Sequence, residues 1–191
     1  LVVVEDLYRP YRPKRRTRAT IAKEKGLEPL ANLILLQMTD KSIEEEAESY
    51  VSEEKEVKNV KEAIAGASDI LAESVADEAD YRIRIRKMTV KSGSIVSSAK
   101  KESESSVYEM YYDFEEPISK LAGHRVLALN RGEKEKILTV KINAPEEEIL
   151  SWLKRQVIRN DNSNTTPILE TVVEDSYKRL IAPAIEREIR S

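Results

Sequence analysis

The first residues able to do chemistry form a basic stretch. From Tyr8 to Gly26 the chain reads YRPYRPKRRTRATIAKEKG, with Arg9, Arg12, Lys14, Arg15, Arg16, Arg18, Lys23 and Lys25 set against a single acid, Glu24. Cations at this density can neutralise several phosphates, giving nucleic-acid affinity that falls steeply with salt. Arginine forks can equally lock onto carboxylates of their own protein. The stretch therefore poses two readings, a phosphate grip or an internal dock. Arg9, Arg12, Lys14, Arg15, Arg16, Arg18 and Lys23 are the candidate nucleic-acid-binding set.

The remaining reactive side chains are sparse. His124 is the only histidine, and there is no cysteine, so thiolate metal sites and disulfides are excluded. No carboxylate spacing matches a calcium or zinc pattern. We therefore expect no catalytic residue, no metal and no cofactor, with His124 a capping or packing residue. The acidic run from Asp40 to Glu56 reads as a solvated helix face and loop, the alternative being an intramolecular partner for the basic arm. Ser94, Ser97 and Ser98 lack the context of a nucleophile elbow. The five glycines are scattered and form no phosphate-binding loop. A second basic group, Arg82, Arg84, Arg86 and Lys87, would be dispersed around a helix. Tyr108, Tyr111, Tyr112 and Phe114 could stack on bases, but strand residues packed on helices are the commoner arrangement.

The elements that would position these groups are mostly helical. At 191 residues the chain fits one domain, or one with a small insertion, and its 35% charged and 40% hydrophobic composition is that of a helix-rich globular protein. The net charge of −3 gives no global pull on nucleic acid, so any such binding must be local. No stretch approaches a membrane span. Pro10 and Pro13 predict an extended arm over residues 1–16. Thr17 is a possible N-cap, and Gly26 a stop. Pro29 opens a second helix carrying Leu30, Leu33, Ile34 and Met38. Asp40 or Ser42 caps a third, with Ile43, Ala47, Tyr50 and Val51. Val57, Val60, Ile64, Ala67, Leu71 and Val75 recur at helical spacing. DYRIRIRKMTV fits either periodicity; the helix formers before it favour helix, ending at Ser92-Gly93.

Strands are predicted near 107–114 and 137–142, paired with each other and joined by a helix, within a β-containing insertion at about 105–143. Helix resumes from Pro145. RNDNSNTTP is a polar loop, and Pro183 should kink or restart the last long helix. The fold class is mainly α: an irregular multi-helix bundle with a small two-stranded antiparallel element.

Three strings carry a family resemblance. DLYRPYRPKRRTRATIAKEKGLEPLA (Asp6–Ala31), GHRVLALNRGEKEKIL (Gly123–Leu138) followed by TVKI, and SYKRLIAPAIEREIRS (Ser176–Ser191) resemble the bacterial Tex proteins, transcription accessory factors, in the expected order. The resemblance implies a cytoplasmic, nucleic-acid-associated parent. Its members carry a helical N-terminal region, a YqgF-type RNase-H-like domain, helix-hairpin-helix elements and an S1 domain that usually binds the nucleic acid. Residues 1–191 would then be most of the helical N-terminal region, an interior segment of the parent. Nucleic acid would be bound mainly through other parts of that parent, with the transcription machinery a further partner. No catalytic residue carries over. The expected function is a non-enzymatic scaffold and interaction region, which tilts the basic stretch towards docking. The alternative is a metal-dependent nuclease, or a module binding nucleic acid directly through the basic arm.

Overall fold

The computed structural model describes residues 16–101 and 105–191. The arm expected over 1–16 therefore lies outside the described residues except for Arg16. The chain forms two compact units. One comprises the residues up to Arg82 together with Leu150–Pro183, and the other Ile83–Ile149 with Ala184–Ser191. Helix dominates, accompanied by one small antiparallel sheet.

The first unit is built around one helix. In chain order its elements are α1 (Arg18–Glu24), α2 (Glu28–Leu36), α3 (Ile43–Ala47) and α4 (Val60–Asp77), followed by the first turn of α5 (Ala79–Ser92). Most of α7 (Glu146–Val157) and all of α8 (Thr166–Asp175) complete it. Each start has a local cause. Thr17 and Thr20 form a capping box, each hydroxyl accepting from the other's backbone N–H. Pro29 sits in the first turn of α2, where its missing N–H has no intrahelical partner to lose. Ser42 caps α3 and Asn59 caps α4, each accepting from the backbone N–H three residues on. Gly26 ends the α1 turn at φ +77°, a left-handed conformation that favours glycine.

Helix α4 buries a face rich in small residues: Ala63, Ala67, Ile70, Leu71, Ala72, Val75 and Ala76. It packs against α1, α2, α3 and α8. Gly66 shows how closely. A Cβ there would lie 2.3 Å from Leu27 Cδ1 and 3.3 Å from Ala22 Cβ. Ala19 and Ala22 of α1 are buried as well, so small residues on both helices permit the approach.

A second device holds the end of α2. Gln37 adopts a left-handed conformation (φ 58°) and is buried. Its amide donates to the carbonyls of Leu35 (3.1 Å) and Val157 (3.0 Å), and its side-chain oxygen accepts from the backbone N–H of Arg159 (2.9 Å) and Asn160 (3.1 Å). Its own carbonyl accepts from the Asn160 amide at 2.7 Å, while Asn162 and Asn164 donate to the carbonyl of Thr39. The polar loop RNDNSNTTP is thus a clasp on the end of α2. The helix stops at Leu36, so Met38, expected on its apolar side, lies beyond it and is exposed. Val51, assigned to the apolar side of α3, is exposed too, since α3 stops at Ala47.

In the second unit, α5 continues into the sheet strands β1 (Ser94–Ala99), β2 (Asp113–Pro117) and β3 (Leu138–Asn143), with α6 (Gly123–Lys134) between β2 and β3. The order is β2-β1-β3, all antiparallel. The class agrees with expectation, but two details are corrected. The sheet has three strands, and the two expected ones do not pair with each other: Ser97 of β1 stands opposite Phe114 on one side and Val140 on the other. The sheet accordingly starts at Ser94, upstream of the insertion expected at 105. Residues 109–111 are a 3₁₀ turn rather than strand. A strand would place Tyr108 and Tyr111 on opposite faces; the helical turn lets both enter one core with Ile95, Leu129, Leu138 and Val140.

Beyond α8 the backbone widens into a π-helical segment, Ser176–Ile181, and then resumes as α9 (Ala182–Arg190). Pro183 has no N–H to donate and its ring crowds the preceding turn. The wider π turn before it makes room, so the helix restarts rather than breaks. Buried Ser176 donates to the carbonyl of Ala72 at 2.6 Å, tying this segment to α4.

Gln37→Ala should destabilise the protein by about 2–4 kcal/mol, because it orphans two backbone N–H groups and two carbonyls at once. Met38→Ser, at an exposed neighbouring position, should stay within about 0.5 kcal/mol. Urea denaturation of the two variants side by side checks the contrast.

Candidate interaction surface

Of the candidate basic residues, Arg9, Arg12, Lys14 and Arg15 lie outside the described residues. Arg16, Arg18 and Lys23 are described, and all three are exposed. Arg16 pairs with Glu24 at 2.8 Å, with the two side chains 65% and 56% exposed. A pair so open to water is worth little. An internal dock would give Arg16 a carboxylate elsewhere in the fold; its partner Glu24 lies only eight residues on, in α1. Arg18 and Lys23 are five residues apart, about 140° around a helix. They flank the buried stripe of Ala19 and Ala22 from opposite sides, so α1 does not gather them into one stripe.

Beside α1 lies an ion network on α4 and the π segment. Thr17 donates to Glu73 at 2.8 Å. Arg179 makes a forked bond to Asp175, with Nη2 at 2.8 Å and Nε at 3.0 Å, and reaches Asp69 at 3.9 Å. The bond to Asp175 raises the Arg179 pKa against a smaller opposing effect of burial. Burial raises the Asp69 carboxyl above its usual value, and the charges of Arg179 and Arg18 offset this only in part. The field of Arg18 at Asp69 and the bond from Thr17 to Glu73 link the described part of the basic stretch to α4.

The second basic group is not a uniform surface. Arg82 is only 1% exposed, and its guanidinium donates to the carbonyl of Ala76 at 3.0 Å. That carbonyl belongs to the last turn of α4, where carbonyls lack intrahelical donors and attract cations. Arg86 pairs with Glu188 at 3.0 Å, each side chain 14% exposed. Arg84 and Lys87 are exposed. Arg190, near the chain end, bonds Asn130 in both directions and pairs with Glu133 and Glu186. Most of these arginines act as struts.

The aromatic group is core, as the packing reading had it. Tyr108 and Tyr111 are buried, Tyr111 meets Phe114 edge-on at 5.1 Å, and the Tyr108 hydroxyl donates to Glu135. Arg125 lies 5.6 Å from the centre of the Phe114 ring and 3.8 Å from Glu116. The expectation for His124 is corrected. It is exposed in the first turn of α6, whose start has no side-chain cap, so it neither caps nor packs. The acidic run is solvated as expected: Glu44, Glu45, Glu48, Glu53, Glu54 and Glu56 are all exposed. Among the described residues, no group of three or more histidines or carboxylates is placed to hold a metal ion. No described helix is long and apolar enough to cross a membrane.

The residue-by-residue reading missed a cavity in the first unit, of about 290 Å³, whose walls include Leu35, Val75, Tyr81 and Val157. Its signal was the run LILLQM, which carries more apolar residues than one helix face can bury.

Two expectations follow. Asp69 binds its proton more readily folded than unfolded, so its stabilising contribution is fully present below the unfolded pKa of about 4. That contribution is lost as pH rises through the higher folded pKa. Asp69→Asn should remove this component, leaving stability less dependent on pH from about 4 upwards; urea titrations across that range read it. His124→Ala should change stability by no more than about 0.5 kcal/mol in thermal melts.

Residues 39–191 match the family described as Tex central region-like. The chain is 55% identical over 190 residues to the uncharacterized protein YdcI of Bacillus subtilis, covering 98% of this chain and 26% of that protein. It is 41% identical over 143 residues to the protein tex of Bordetella pertussis, covering 73% of this chain and 18% of that one. It is 31% identical over 205 residues to the human S1 RNA-binding domain-containing protein 1, covering 98% of this chain and 20% of that one. The chain thus spans about a quarter of the length of the first of these relatives and about a fifth of the other two. With most of its described length matched to the family's central region, the chain belongs to the Tex family.

Proposed function

We propose that this chain is a non-enzymatic scaffold and interaction region of a Tex-like transcription accessory factor. One observation carries the reading: its best-placed cations are engaged inside their own unit. Arg82 closes the end of α4, Arg179 holds Asp175 and Asp69, Arg86 holds Glu188, and Arg190 holds Asn130 and Glu133. Arginines held this way fix helices and have little left to offer phosphate. The relatives named as transcriptional accessory protein Tex and S1 RNA-binding domain-containing protein 1 support a parent that works on nucleic acid, and a cytoplasmic setting is part of the proposal. In this proposal nucleic acid is held mainly by other parts of that parent, and the transcription machinery is a further partner.

A second reading has one observation in its favour. Arg18 and Lys23 are exposed and make no ion pair with a described residue, so the basic stretch retains charge that could meet phosphate directly.

Titrating the chain with labelled single-stranded RNA and duplex DNA over a salt series separates the two. The scaffold reading expects binding no tighter than about 10⁻⁴–10⁻⁶ M at physiological salt. It also expects no change of salt slope in the Arg16→Ala/Arg18→Ala/Lys23→Ala variant. Tight binding, with a slope that flattens by roughly 0.7–0.9 per lost contact in that variant, would make the stretch a phosphate grip. Adding magnesium to the same mixtures tests the nuclease alternative. Cleavage that survives rigorous purification and disappears with chelator would overturn the non-enzymatic reading.

A further inference from the structure

The cavity of the first unit has a chemistry that the scaffold reading does not use. At about 290 Å³ it falls just below the range of roughly 300–1,000 Å³ typical of small-molecule sites. It has room for one large side chain rather than a cofactor. Leu35, Val75, Tyr81 and Val157 supply apolar walls, while Glu78 and Arg159 bring opposite charges to the lining. Both charged residues are exposed, and neither makes an ion pair with the other or with any other described residue. Arg159 Nε donates to the carbonyl of Gln156 at 3.4 Å, and both charges stay open to groups that a ligand could bring.

Apolar exposure continues along the chain from Leu35. Leu35 is 43% exposed, and its neighbours Leu36 and Met38 are 69% and 76% exposed. Large apolar side chains grouped on a surface mark an interaction site more often than scattered ones do. The site is also preformed. Gln37 ties Leu35 to Val157 and to the backbone of Arg159, which are three parts of the lining. A rim already ordered loses little freedom when it binds.

We infer that this cavity receives one large aliphatic or aromatic side chain of a partner polypeptide, whose flanking basic and acidic residues pair with Glu78 and Arg159. A nucleic-acid strand fits less well. Its backbone offers only negative charge, so Glu78 would face phosphate without a cation. A polypeptide can supply both signs beside an apolar anchor, and anchors of that kind carry most of the energy of protein interfaces. The inference deepens the interaction-region reading and rests on it.

The protein carries its own reporter. Trp152 is the only tryptophan, and its ring meets that of Tyr81 edge-on at 5.9 Å. Filling the cavity should alter Trp152 emission and shift the methyl resonances of Leu35, Val75 and Val157. The probes are synthetic peptides free of tryptophan, each with one phenylalanine between a lysine and a glutamate, in both charge orders. A control replaces the phenylalanine by alanine.

The expected result is a saturable response to one charge order, weakened at least about tenfold by loss of the phenylalanine, a factor worth about 1.4 kcal/mol. In the Glu78→Lys/Arg159→Glu variant, whose changes are both at exposed positions, the preferred charge order should invert. Three outcomes overturn the inference: no saturation with either order at millimolar peptide, a response indifferent to the phenylalanine, or the same methyls shifting at lower concentrations of oligouridine RNA. Self-association that protects those methyls without peptide would also overturn it, by making a second copy the occupant. A null titration here leaves the scaffold reading standing, whereas tight nucleic-acid binding or cleavage would defeat that reading without touching this titration.

Discussion

The constraint on which the first unit depends is the size of the residues along α4. Ala63, Gly66, Ala67, Ala72 and Ala76 keep its buried surface low, and four other helices approach that surface. A methyl group at Gly66 already meets Leu27 inside contact distance. Dispersion between closely packed atoms is small per pair and large in sum, so close approach compensates for the modest apolar area of each alanine. The cost is sensitivity. A longer side chain on this face would push α1 or the Leu27 turn away and loosen everything anchored to it, including the capping box at Thr17 and the Thr17–Glu73 bond. The ends of α4 are closed by polar chemistry: Asn59 at one, and the buried guanidinium of Arg82 at the other.

The second unit solves the same problem differently. Its core is a small cluster of aliphatic residues and tyrosines between one sheet and α6, with charged struts around it. Arg86–Glu188 is largely shielded from water, and Arg190 is held by Asn130, Glu133 and Glu186. Partly buried pairs of this kind add little net stability once desolvation is counted, but breaking one leaves an uncompensated charge. They therefore specify where the final helix must lie more than they strengthen the unit. This is also why the arginines here are poor candidates for phosphate contacts.

Helix boundaries were legible because their causes are local. Thr17, Gly26, Pro29, Ser42 and the Ser92-Gly93 stop each act within a few residues, and the structure places element ends beside them. The strand SIVSSA was not legible. It is short and rich in serine, and Ser97 points inwards only because its hydroxyl finds the carbonyl of Tyr111 at 2.7 Å, fourteen residues away. The roles of Arg82 and Gln37 were hidden for the same reason. A buried guanidinium looks like any other arginine in a basic run until the end of α4 is beside it. The asparagines of RNDNSNTTP look like loop until Gln37, more than a hundred residues earlier in the chain, supplies their partners. Of the basic stretch, the sequence revealed the charge but not its distribution, which depends on the side of α1 that is buried.

The distribution of satisfied and unsatisfied groups then separates framework from surface. A charge that serves packing has a partner on a neighbouring element, as Arg179 and Arg86 do. An apolar side chain that serves packing is covered, as Leu30 and Ile34 are on the same helix that leaves Leu35 and Leu36 open. At the end of α2 both conditions fail together. Glu78 and Arg159 make no ion pair with a described residue, Leu35, Leu36 and Met38 lie open, and Gln37 holds the backbone beside them. Gln37 thus does two things at once: it closes the end of α2 on the polar loop, and it fixes the backbone beneath these open groups.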